Sequence, residues 1–112
     1  MKQVMVVNTA LAMPAGKMAA QVAHASVSAF LVSPADAQRA WLQCGMPKIV
    51  LKGPSETVLL ELLERAEAAS IPAYLIRDAG RTVVAEGTIT CLGIGPAAIA
   101  DIDRLTGDLR LM

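Results

Sequence analysis

QVMVVNTALAMPAGKMAAQVAHA, Gln3 to Ala25, decides the fold. Gln3 to Val7, apolar at every position from Val4 on and without alternation of wet and dry residues, reads as a short strand buried on both faces. The Pro14-Ala15-Gly16 turn then opens a helix that the pattern carries to about Val32. A strand without a wet face needs cover on two sides, and the small residues of this helix let it lie close against a sheet.

Working outward, the same grammar repeats. Ser33-Pro34 begins a second helix, with Pro34 at its first position and Asp36 in its first turn, which ends near Cys44-Gly45. Lys48 to Lys52 is the next strand, and Ser55 caps a helix whose leucines in LLELLERAEAA recur at helical spacing. Ala73 to Ile76 forms a third strand, RDAGRTVVAEG an irregular segment, and Thr88 to Ile94 a fourth strand. Pro96 starts a terminal helix to about Leu105, closed by Thr106-Gly107. Apolar strands alternating with helices predict an α/β fold, a three-layer α/β/α sandwich.

The chain of 112 residues fits one domain, residues 1–112. Hydrophobic residues make up 54% and charged ones 18%, which excludes extensive disorder. Ten basic and ten acidic residues cancel, so nucleic-acid binding must rely on local charge. Phe30, Trp41 and Tyr74 are the only aromatic residues, which limits base stacking. The N-terminal stretch imitates a secretory signal, but Asn8 and Thr9 cut its apolar run short, and a buried strand is the better reading. No run approaches a membrane span. Cys44 and Cys91, with His24 the one histidine, make no zinc ligand set, and both read as core thiols of a reducing, cytoplasmic protein.

Lys17 stands at a helix start, where the dipole disfavours positive charge. At about 100° per residue, Lys17, Gln21, His24 and Ser28 share one face of that helix. Lys17 is explained if its ammonium reaches an anion that also meets the free N–H groups of the first turn, a phosphate being the natural choice. A P-loop is excluded, because Leu11 stands where the pattern needs glycine and Met18 where it needs Ser or Thr. Gly93-Ile-Gly95-Pro96-Ala-Ala98 imitates a dinucleotide fingerprint but lies too near the C-terminus for the strand and acid that must follow, and reads as a plain strand-to-helix turn. IRDAGRT, Ile76 to Thr82, gathers Arg77, Asp78, Arg81 and Thr82 around Gly80 after a strand. A carboxylate there suits a general base that neighbouring arginines keep ionised, or equally a structural turn with solvated arginines. Thr88 and Thr90 alternate onto one strand face.

In this order, GKMAAQVAHA, Trp41 followed by GMPKIVLK, LIRDAGRT, GTITCLGIGP and IDRLTGDLRL resemble the type 2 peptidyl-tRNA hydrolase family over nearly the whole chain. The resemblance implies a small mixed sheet of about four strands. It also implies hydrolysis, without metal or cofactor, of the ester joining a peptidyl group to the 3′ ribose of tRNA. The family's important polar residues map to Lys17, Asp78, Thr82 and Thr90, with His24 and Gln21 nearby; Gly16, Arg77, Arg81 and Thr88 complete the expected substrate-binding set. The chain departs from the family where charge is usual, with Asn8, Ala10 and Ala12 after the first strand and Met46-Pro47 before KIV. Those changes imply a weaker grip on tRNA with unaltered ester chemistry.

The expected reaction is direct attack by water, with Asp78 orienting or deprotonating it; His24 is the alternative base, although its interior helix position suits a packed, hydrogen-bonded structural histidine better. Lys17 binds a phosphate or stabilises the oxyanion, and the hydroxyls of Thr82 and Thr90 position water and substrate. The expected partners are the 3′ acceptor end of peptidyl-tRNA and a second copy of the chain, with no membrane. The rival reading is a non-catalytic module that binds a small anion or a protein partner through the same stripe.

Overall fold

The computed structural model describes residues 1–80 and 85–112. Its elements are β1 (Lys2–Asn8), a 3-10 turn (Thr9–Leu11), α1 (Ala15–Leu31), α2 (Ala35–Gln43), β2 (Lys48–Gly53), α3 (Glu56–Ala68), β3 (Ala73–Arg77), β4 (Ile89–Ala97) and α4 (Ile99–Thr106). The strands form one mixed sheet in the order β2-β1-β4-β3. β1 and β2 are parallel, while β4 runs antiparallel to both β1 and β3.

The alternation along β1 builds the layers. Val4 and Val6 pack with Leu59, Leu62 and Ala66 of α3 and with Ile102 and Leu105 of α4. Met5 and Val7 point the other way and pack with Ala25 of α1. The result is the expected α/β/α sandwich, and burying each large aliphatic side chain contributes roughly 1.5–3 kcal/mol. Ser55 caps α3 as expected, its hydroxyl accepting the Val58 N–H at 3.4 Å. Trp41 of α2 is buried, donates Nε1–H to the Pro47 carbonyl at 2.8 Å and meets the Phe30 ring at 5.8 Å.

α1 lies very close to the sheet at Gly93 of β4. A Cβ there would stand 2.4 Å from the Ala25 carbonyl oxygen and 3.0 Å from the Ala29 methyl. Gly93 is therefore a contact point between helix backbone and sheet, not part of a strand-to-helix turn. Pro96 is likewise inside β4 and does not start a helix. The β1–β4 ladder shifts register between Lys2 and Val4 and continues to Lys2↔Ala97. Proline, lacking an N–H, is tolerated at such an irregularity. α4 begins three residues later, at Ile99. Pro34, expected as the first residue of the second helix, is its cap.

The two sheet edges differ. The C-terminal segment lies along β2, where Lys52 N–H donates to the Arg110 carbonyl at 2.8 Å and Met112 N–H to the Val50 carbonyl at 2.9 Å. β3, on the other side, pairs only with β4 among the described residues. No described helix is long and apolar enough to cross a membrane.

Candidate active site

Lys17 finds its anion inside the chain. Its Nζ pairs with Oδ1 of Asp78, which follows directly on β3. The Lys17 side chain is 11% exposed and that of Asp78 2%. The Asp78 main chain is clamped by its N–H donating to the Thr88 carbonyl and its carbonyl accepting from Gly87 N–H, both at 2.8 Å. The second carboxylate oxygen accepts Gly80 N–H at 2.7 Å. That turn suits glycine, because Gly80 has φ +78° and a Cβ would stand 2.7 Å from Cβ of Glu86.

These contacts set the charge. The hydrogen bond from Lys17 holds the Asp78 carboxyl below its ordinary value of 3.8; Gly80 N–H and the Lys17 charge act in the same direction, against desolvation. Asp78 is thus an ionised carboxylate with a matched cation, a good orienting group and a weak proton acceptor.

An open cleft of about 510 Å³ lies over the pair, lined by Gly16, Lys17, Ala20, Gln21, His24, Arg77, Asp78 and Ala79. α1 starts beside this cleft with no side-chain cap, and Gly16 and Lys17 of its first turn line it. Gln21 is buried and is held from behind by Thr90, whose hydroxyl donates to Gln21 Oε1. Thr90 itself is wholly buried and has no place on the cleft wall. His24 is exposed at the rim, not a packed and hydrogen-bonded core residue. Arg77 is exposed on the opposite wall and donates Nη1–H to the Gly87 carbonyl at 3.4 Å.

Comparison with known proteins decides the family. The profile described as Peptidyl-tRNA hydrolase PTH2 matches residues 1–112. The chain belongs to this family. It is 50% identical over 113 residues to the peptidyl-tRNA hydrolase of Methanopyrus kandleri, covering 99% of this chain and 97% of that protein. Against the peptidyl-tRNA hydrolase of Methanothermobacter thermautotrophicus it is 46% identical over 112 residues, with both chains fully covered. It is also 43% identical over 113 residues to mouse peptidyl-tRNA hydrolase 2, mitochondrial, covering 98% of this chain and 62% of the mouse protein.

Within this PTH2-family chain, the structure brings Gly16, Lys17, Gln21, His24, Arg77 and Asp78 to one cleft and puts Thr90 directly behind it. Thr88 contributes its carbonyl to the Asp78 main chain. It lies ahead of β4, and the ladder irregularity at Ile76/Arg77 separates it from the regular alternation that contains Thr90. Arg81 and Thr82 lie outside the described residues. Asn8 is not a surface position stripped of charge. It is buried, with its amide donating to the Ile89 carbonyl at 2.9 Å and its carbonyl accepting Ala10 N–H at 3.2 Å.

Ala20, Ala79 and Tyr74 were not legible as wall residues. Tyr74 lines a second cleft of about 610 Å³, which shares His24 and Arg77 with the first and also includes Val27, Ser28, Leu75 and Ile76. The period of two along Tyr74-Leu75-Ile76 marks Tyr74 as sharing the strand face of Ile76, which packs on the α1 side.

Proposed function

We infer that this chain hydrolyses peptidyl-tRNA, adding water to the ester carbonyl and releasing a free peptide carboxylate and a tRNA 3′-hydroxyl. The observation that carries the site assignment is the shielded Lys17–Asp78 pair at the floor of an open cleft, beside an uncapped helix start. Water bonds to the carbonyl carbon, the bond to the ribose 3′-oxygen breaks, one of the water's protons ends on that oxygen, and the other passes to solvent as the new carboxylic acid ionises.

Asp78, already ionised, accepts a hydrogen bond from the attacking water and fixes its direction. The Lys17 ammonium, held by Asp78, stands ready for the oxyanion that forms as the carbonyl is attacked, with the first-turn N–H groups of α1 beside it. Gln21 presents its amide to the substrate in an orientation set by Thr90, which acts as a positioning residue. Arg77 on the opposite wall suits a phosphate of the acceptor end. Thr82 and Arg81 join this set through the family motif IRDAGRT.

The pH dependence of peptide release from an N-acetyl-aminoacyl-tRNA tests the assignment. A carboxylate held below its ordinary value of 3.8 is half-protonated only below that pH, so the acid limb of kcat/KM has no midpoint between pH 7 and 3.8. The pair's contribution to folding has the same sign: it is present above the unfolded-state value and is lost as pH falls through the folded-state value. An acid limb with its midpoint in that pH range assigns the proton transfer to a group other than Asp78, with His24 at the cleft rim the candidate.

The chain acts in the cytoplasm as a homodimer on this reading. Cys91 is a buried thiol as expected, whereas Cys44 at the end of α2 is exposed, and two free cysteines suit a reducing compartment. Val27, Leu31, Val32, Leu42 and Met46 leave an exposed apolar surface along α1 and α2, which suits a second copy. Light scattering is expected to give twice the chain mass, and Leu31→Glu to give the monomer's; a monomeric wild type rejects the pairing.

A further inference from the structure

We propose that the open edge of β3 takes up the peptidyl part of the substrate as an added parallel strand, leading its ester carbonyl to Lys17 and Asp78. This rests on the peptidyl-tRNA reading above.

The two sheet edges motivate it. The C-terminal segment covers β2, with Leu111 bridging Leu51, whereas β3 carries no second partner among the described residues. Which groups are free follows from the ladder. Gly95 N–H donates to the Pro72 carbonyl at 2.7 Å, so Pro72↔Gly95 is a hydrogen-bonded position. Hydrogen-bonded and open positions alternate along an antiparallel pair, so Tyr74 and Ile76, opposite Gly93 and Cys91, face β4 with their backbone groups. Ala73, Leu75 and Arg77 then turn their N–H and C=O groups to the open edge. Unpaired edges are templates for strand addition.

The edge also leads to the chemistry. β3 ends at Arg77 and Asp78 follows, so a peptide running parallel to β3 brings its C-terminal carbonyl to the Lys17–Asp78 pair. The five residues of β3 span roughly 16 Å at about 3.3 Å per residue, room for four to five residues of peptide. Beside the strand runs the second cleft, with Tyr74 on β3 facing His24, Val27 and Ser28 on α1, and it joins the first cleft at His24 and Arg77. Alternate peptide side chains enter this open cleft while the others face away. Recognition through backbone groups is independent of side-chain identity.

The test uses the wild-type chain and tRNA carrying acetyl-alanine, acetyl-tetra-alanine, or acetyl-tetra-alanine N-methylated at one amide at a time. The tetrapeptide is expected to raise kcat/KM about tenfold over acetyl-alanine, and N-methylation to lower it about fivefold at alternate amides only, as expected for one backbone hydrogen bond each. Amide hydrogen exchange at Ala73, Leu75 and Arg77 is expected to slow when acetyl-tetra-alanine, amide-linked to 3′-amino-3′-deoxyadenosine, is bound. Hydrolysis without length dependence, or equal losses at every amide, overturns the added strand and leaves the peptidyl-tRNA reading standing. Equal slowing by the unacylated aminonucleoside also overturns it, because the nucleoside then occupies the edge. Absence of hydrolysis for every substrate overturns both.

Discussion

Asp78→Asn is expected to lower peptide release by about 10²–10⁴-fold, the range for a positioned group acting directly on the reacting water. Asparagine keeps an oxygen for Gly80 N–H and nearly the same shape, so the turn after β3 survives. What disappears is the charge that holds Lys17 at the floor of the cleft. Lys17→Ala removes the other half of the pair and is expected to cost a comparable factor, about 10²–10³-fold if its ammonium meets the oxyanion. The two residues act as a unit, so the double variant should lose little more than the worse single one. Strictly multiplicative losses would show that Lys17 and Asp78 serve separate steps. Circular dichroism of each variant separates lost chemistry from lost folding, and wild-type turnover by Asp78→Asn removes it from the mechanism.

Gly93→Val is expected to be the most damaging substitution for stability. Even the first added carbon meets the Ala25 carbonyl at 2.4 Å, in helix backbone that has no side-chain rotation to relieve it. Either α1 lifts from β4 or the sheet bends. Overpacking of this kind costs typically about 1–3 kcal/mol, and about 1 kcal/mol lowers the Tm of a domain near this size by roughly 4–8 °C. Gly93→Ala should therefore fall by several degrees and Gly93→Val by more. Because α1 carries Lys17 and Gln21, activity should fall before the protein unfolds. Gly16→Ala is the control: no atom lies within 4 Å of the added carbon, so thermal scanning should show an unchanged or raised Tm. An unchanged Tm for Gly93→Val would refute the close approach of helix and strand.

Much of this was readable residue by residue. The unbroken apolar run of β1, the small-residue pattern of α1, the Ser55 cap and the leucine spacing of α3 are local signals with a period of two or 3.6, and each matched its element. Pro96 misled because a proline before an apolar stretch is a helix-start signal, and only the pairing of Lys2 with Ala97 carries the strand past it. The stripe on α1 was legible as one face, but its members part company in the fold. Gln21 is buried against Thr90, Lys17 is shielded against Asp78, and His24 is exposed.

The amino-acid sequence by itself determined the elements, the α/β class, the family and the residue types of the site, because propensity, periodicity and motif spacing are properties of neighbours along the chain. Tertiary structure alone decided that the anion for Lys17 is a carboxylate 61 residues away, and that Gln21 is held by a hydroxyl 69 residues away. It alone also decided which strand lies open beside the site. Strand order and register bring distant segments together, and the free energy that selects them comes from burying both faces of the sheet at once, which no local window of the chain contains.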